Sequence, residues 1–226
     1  MKAILKKYGF ALFFMVAVIH LAAILFNAED ARFFTKLLLM PILALAVYGN
    51  SMKGKGRSLL LTAIFFSFAG DGFLLFDHIN PVFFIAGLAC FLLTHVLYIV
   101  YFVGIRPISR SPFKDHSWIL LLIMAYGAGL VYLLYPSLGE LKIPVIIYAA
   151  VICSMLIAGV HIFKRVNRKA GWLFITGALL FVVSDSLLAI NKFSAPFDYA
   201  AFLIMFTYIT AQYCIAKGFV SAGQVT

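Results

Sequence analysis

Hydrophobic residues in this chain do not scatter. They gather into eight runs, Tyr8–Phe26, Phe33–Tyr48, Ser58–Phe76, Val82–Val103, Trp118–Tyr135, Ile143–Phe163, Gly171–Ile190 and Tyr199–Phe219. A spanning helix needs about 20 mainly apolar residues. Each run is therefore predicted to be a transmembrane helix, the second being short and carrying Pro41. The connections are short and polar, such as NAEDAR, DHINP and KRVNRK, and none is large enough to be a soluble domain. The expected fold class is an all-α integral membrane protein: one polytopic domain over residues 1–226, with eight helices in one bundle.

Composition supports this reading. The chain has 226 residues, is 65% hydrophobic and 12% charged, and its mean hydropathy is +1.07. Soluble domains carry about 25% charged residues, and a chain this apolar requires the bilayer as solvent. The net charge of +10 invites a nucleic-acid reading. That reading fails because the basic residues sit in loops between apolar runs and form no soluble basic face.

Those loops set an expected orientation, because Lys and Arg favour the cytoplasmic side. Lys2, Lys6, Lys7, Lys53, Lys55, Arg57, Arg106, Arg110, Lys114, Lys164, Arg165, Arg168, Lys169 and Lys217 fall on one side. Only Arg32, Lys36, Lys142 and Lys192 fall on the other, together with Glu29, Asp30, Asp77, Glu140 and Asp198. Both termini are predicted cytoplasmic, in the inner membrane of a bacterium. The basic start followed by an apolar run resembles a signal peptide, but the run is long enough to span and no clear cleavage site follows it. It reads as an uncleaved first helix.

Cys90, Cys153 and Cys214 all lie in apolar runs with no CxxC or Cys/His spacing, and read as small buried hydrophobes. His20, His95 and His161 occupy different helices without paired spacing, so a zinc site has little support.

Two carboxylates stand out. Asp71 and Asp185 lie inside apolar runs, where a carboxylate costs about 2.5–3.5 kcal/mol on insertion scales. Their surroundings echo each other, Gly-Asp71-Gly-Phe-Leu against Ser-Asp185-Ser-Leu-Leu. They lie four helices apart, run in the same direction and sit at similar expected depth, nearer the outer ends. A parallel four-plus-four repeat would produce this echo, and so would chance. Neighbouring Ser67 and Ser184 offer a purely structural hydrogen-bonding role.

Further polar groups share the spans. His95 lies mid-span with Tyr98 at i+3 on its face. Lys36 lies near the outer end of the second helix, placed either to snorkel or to face an acid or a lipid phosphate. Tyr148 is on the sixth helix, and Tyr208 and Gln212 share a face of the eighth at i, i+4. Together they suggest an enclosed polar site in the outer half of the bundle. An ion pathway would continue polar residues to both faces, and the cytoplasmic half has no such run. An amphipathic lipid suits the pattern better.

These residues, in this order, resemble the YhhN family of transmembrane lysoplasmalogenases. The likeness runs through Lys36-x4-Pro41, FSFAGDGFLL with Asp71, THVLYIVYF with His95, and YAAVICSM with Tyr148 and Met155. It continues through GALLFVVSDSLLAINKF with Ser184 and Asp185, and TYITAQ with Tyr208 and Gln212. The resemblance implies an eight-helix ether hydrolase that cleaves the vinyl ether of a lysophospholipid to a fatty aldehyde and a glycerophospho-ethanolamine or -choline. It implies no cofactor and no metal. The expected partners are the substrate and membrane lipids, with no nucleic acid and no evident protein partner.

The chemistry fits. Protonating the alkene carbon creates an oxocarbenium ion, which water then attacks. A carboxyl in a low-dielectric setting holds its proton more readily, and two neighbouring carboxylates do not both ionise cheaply. One aspartate then serves as acid while the other stabilises the cation, as in glycosidases. Asp71, Asp185 and His95 are the catalytic candidates, with His95 relaying a proton or positioning water. Lys36 and Tyr148 are candidates for the phosphate, and Ser184, Tyr208 and Gln212 for other substrate contacts. Two other classes share the pattern of intramembrane acids: a lipid or proton-coupled transporter, and a zinc-dependent amidase of the ceramidase type.

Overall fold

The computed structural model describes residues 2–105 and 117–223. Among these residues it contains eight helices long and apolar enough to cross a membrane: α1 Lys2–Leu25, α2 Glu29–Asn50, α3 Lys55–Leu74, α4 Pro81–Gly104, α5 Trp118–Leu134, α6 Lys142–His161, α7 Arg168–Phe193 and α8 Ala200–Ala222. The protein is a multi-pass membrane protein. Arg106, Arg110 and Lys114, three of the basic residues expected on the cytoplasmic side, lie outside the described residues.

Large apolar side chains cover the outside. Val18, Phe34, Phe65, Leu121, Ile143 and Trp172 are all exposed. Water would penalise such a surface, whereas lipid accepts it.

The chain divides into two compact units, one ending at Tyr101 and the other beginning at Phe102. In unit 1, α1 and α2 form the most extensive helix contact, and α2 also packs on α3. In unit 2, α7 and α8 pair most extensively, and α5, α6 and α7 pack in sequence. Helices in lipid gain no hydrophobic drive from pairing, so close packing depends on small residues. A Cβ on Gly9 would lie 2.8 Å from the Ala46 backbone, which holds α1 against α2. A Cβ on Gly177 would lie 2.7 Å from Ile215 and 3.0 Å from the Ala211 carbonyl, which does the same for α7 and α8.

Three helices differ from the sequence expectation. α1 begins at Lys2, so Lys2, Lys6 and Lys7 are helical and do not precede the helix. α2 is not short: it has 22 residues and starts at Glu29. Glu29 and Asp30 occupy its first turn, where acids complement the helix dipole. The apolar run alone hides that turn. Pro41 lies inside α2, which neighbouring helices in a bundle make tolerable. α7 continues past Ile190 through Asn191 and Lys192 to Phe193.

The turn after α3 also has local logic. Asn80 Oδ1 accepts from Val82 N at 2.9 Å, and Pro81 opens α4. That is an N-cap followed by a first-turn proline. Asp77 falls within this turn.

Candidate functional site

In unit 1, Asp71 is 2% exposed on α3. It lies three residues before the last residue of α3, Leu74, about 4.5 Å along the axis. In unit 2, Asp185 lies eight residues before Phe193, about 12 Å along α7. The two carboxylates therefore do not sit equally deep relative to their own helix ends, contrary to the sequence expectation. α3 stops early, at the turn into Asp77, while α7 carries on through polar residues.

Around Asp71 the setting is charged. Lys36, half-buried on α2, feels the charges of Asp71, Asp77 and Arg32. Lys36 and Asp77 line a half-open cavity of about 360 Å³ together with Glu29, Asp30, Arg32 and His78, backed by Phe33, Leu74 and Leu75. This volume is within the range of about 300–1,000 Å³ common for small-molecule sites. Arg32 Nη1 lies 3.7 Å from Glu29 Oε1, an exposed pair of little energetic weight.

Behind the cavity, α1 supplies His20. It is completely buried, and its Nδ1 is 2.8 Å from Thr35 Oγ1. The Thr35 hydroxyl also lies within hydrogen-bond reach of the Ala31 carbonyl. The His20–Thr35 bond ties α1 to α2 one residue before Lys36. The Nε2 atom of His20 has no hydrogen-bond partner among the described residues.

His95 is completely buried on α4. Its neighbour Thr94 lies 3.1 Å from Ser67 Oγ and donates to the Ala63 carbonyl at 3.1 Å. These contacts fix α4 against the face of α3 one turn from Asp71.

Asp185 on α7 is met by a hydroxyl from α6. Tyr148 donates its hydroxyl to Asp185 Oδ2 at 2.6 Å. Both residues line a cavity of about 40 Å³ whose other walls are largely apolar. That is room for about one water. Tyr126 and Ser186 also line it, with Tyr126 donating to Ser186 Oγ at 2.8 Å and Ser186 to the Val182 carbonyl at 2.6 Å. Sequence reading singled out neither Ser186 nor Tyr126. The available signal was the flanking of Asp185 by serine on both sides.

Ser184 turns to α8 and donates to the Ile204 carbonyl at 3.0 Å. Its hydroxyl ties α7 to α8. Tyr208 and Gln212 do share a face: Gln212 Nε2 donates to Tyr208 Oη at 3.4 Å, and both are buried. The Tyr208 ring stands edge-on to Phe181 at 5.7 Å. Among the described residues, no three His, Cys, Asp or Glu side chains gather as a metal site would require.

Comparison with known proteins brings in family evidence. The chain is 35% identical over 170 residues to the lysoplasmalogenase TMEM86A of Bos taurus, covering 73% of this chain and 66% of that one. It is 33% identical over 178 residues to the lysoplasmalogenase TMEM86B of Homo sapiens, covering 78% and 70%. A lysoplasmalogenase of Mycobacterium bovis is 28% identical over 180 residues, covering 76% and 64%. The chain thus spans about two thirds of the length of the curated relatives it matches. No solved structure matches it significantly. The YhhN family model matches residues 31–219, which takes in Lys36, Asp71, His95, Tyr148, Asp185 and Gln212, and the chain belongs to the YhhN family.

Proposed function

We propose that this protein is a membrane hydrolase that cleaves the vinyl ether bond of lysoplasmalogens, with Asp71 and Asp185 as its acid–base groups. The observation that carries the reading is an intramembrane carboxylate, Asp185, gripped by the Tyr148 hydroxyl beside a water-sized cavity, in a chain whose relatives bear the name lysoplasmalogenase.

The reaction begins when a carboxylic acid gives its proton to the alkene carbon one bond beyond the ether-bearing carbon. A C–H bond forms, and the ether oxygen shares the positive charge. The second aspartate, as carboxylate, stabilises that oxocarbenium ion. Water adds to the ether-bearing carbon and loses a proton to a carboxylate. The resulting hemiacetal collapses: its hydroxyl proton leaves, the bond to the glycerol oxygen breaks, and that oxygen is protonated. Water is consumed, and a fatty aldehyde and a glycerophospho-ethanolamine or -choline are released. A proton donor, a proton acceptor and water suffice.

Tyr148 acts as a positioning residue for Asp185, Lys36 offers its charge to the substrate phosphate, and His95 relays a proton or orients water. The basic connections face the cytoplasm and the acid-rich ones the outside, by the positive-inside rule, in a bacterial inner membrane.

The test is aldehyde release from a defined lysoplasmalogen by the purified protein in water enriched in oxygen-18. The heavy oxygen is expected in the aldehyde, trapped by rapid reduction, and not in the glycerophospho product. Label in the glycerol hydroxyl would overturn the mechanism. A folded protein that releases no aldehyde would overturn the substrate, and translocation of intact lipid would replace it with a carrier function.

A further inference from the structure

The cavity of unit 1 holds a concentration of opposite charges that helix stability does not account for. In a chain of net charge +10 with only eight acidic residues, three of them, Glu29, Asp30 and Asp77, line this one cavity beside Arg32 and Lys36. Glu29 and Asp30 have a local reason, since they occupy the first turn of α2, where the dipole favours acids. Asp77 has none. It follows the C-terminal end of α3, the end at which the dipole disfavours a negative charge. Lys36 also lies away from the helix ends, seven residues into α2. A site that presents cations and an anion together is complementary to a zwitterion.

From this we infer that the cavity lined by Arg32, Lys36 and Asp77 is a headgroup site for a phosphoethanolamine zwitterion, Arg32 and Lys36 holding the phosphate and Asp77 the primary ammonium. This rests on the reading above that the substrate is a lysophospholipid, and it adds which headgroup is taken. Guanidinium and ammonium groups make strong charge-assisted hydrogen bonds to phosphate oxygens. A primary ammonium offers three N–H donors to a carboxylate. Trimethylammonium offers none and is characteristically recognised by a cage of aromatic faces. Among the described residues, the one aromatic carbocycle in the lining is Phe33, whose ring stands edge-on to Phe76 at 6.3 Å. Among the described residues, the cavity thus has the carboxylate that ethanolamine needs and a single phenyl ring in its lining where a choline cage needs several. Lys36, which feels both Asp77 and Asp71, is the link from the headgroup to the candidate catalytic acid.

The experiment is calorimetric titration of the full chain in detergent with three soluble probes: glycerophosphoethanolamine, glycerophosphocholine and sn-glycerol 3-phosphate. The first is expected to bind about tenfold tighter than the second, the worth of one charged hydrogen bond. Asp77→Asn is expected to erase that difference and leave glycerol 3-phosphate binding unweakened. Arg32→Gln is expected to weaken all three. Equal or tighter binding of the choline probe, no binding of any probe, or equal loss of all three in Asp77→Asn would each overturn the assignment. Aldehyde release measured in parallel separates the two claims. Turnover without headgroup discrimination overturns the site alone, whereas ethanolamine-selective binding without turnover supports the site and overturns the hydrolase reading.

Discussion

Unit 1 sets a lysine near its carboxylate, while unit 2 sets a tyrosine hydroxyl against its own. Asp71 is nearly inaccessible, and Lys36, near enough to feel it, lines a cavity of about 360 Å³. Asp185 is half-buried, takes a 2.6 Å hydrogen bond from Tyr148, and borders a cavity of about 40 Å³ with largely apolar walls. The pentads around the two residues are alike in sequence, yet the helices packed against them supply different partners.

The sharpest way to break this comparison is to neutralise each acid in turn. Asp71→Asn and Asp185→Asn are each expected to lower kcat about 10²–10⁴-fold, the usual worth of a general acid or base, measured as aldehyde release. If only one variant loses activity, the two units do not share the chemistry.

Smaller effects test how each acid is equipped. Tyr148→Phe removes one hydrogen bond to Asp185, and a fall in kcat of about tenfold is expected with KM nearly unchanged. Lys36→Met removes the cation of unit 1, so a rise in KM of about tenfold is expected for substrates that carry a phosphate and none for an alkenyl glycerol without one. Identical kinetic signatures for the two variants would erase the distinction between the settings.

The smallest effect concerns packing alone. Gly177→Leu forces a side chain against Ile215 and the Ala211 carbonyl, and is expected to cost about 1–3 kcal/mol, read as a lower unfolding temperature. Gly129→Ala meets nothing within 4 Å and is expected to leave that temperature unchanged.

Much of this was legible in the sequence. Eight apolar runs became eight helices because in lipid the backbone must satisfy its own hydrogen bonds. The i, i+4 spacing of Tyr208 and Gln212 became a hydrogen bond. The first turn of α2 was hidden because hydropathy reads Glu29 and Asp30 as loop, whereas the helix dipole reads them as a start. The hydrogen-bond partners of Tyr148 and Ser184 were hidden for a different reason: each faces its residue from another helix, Asp185 on α7 in one case and the Ile204 carbonyl on α8 in the other. Asp77 and His78 looked like an ordinary polar turn until the fold set them beside Lys36 and Arg32.

The most direct measurement of the central claim is the rate of a single turnover in Asp71→Asn, Asp185→Asn and the double variant, compared with the wild type. Residues that act as one unit are strongly non-additive. The double variant is therefore expected to be about as slow as the slower single variant. Multiplied losses in the double variant, or wild-type turnover in either single variant, would contradict the claim that the two aspartates work as a pair.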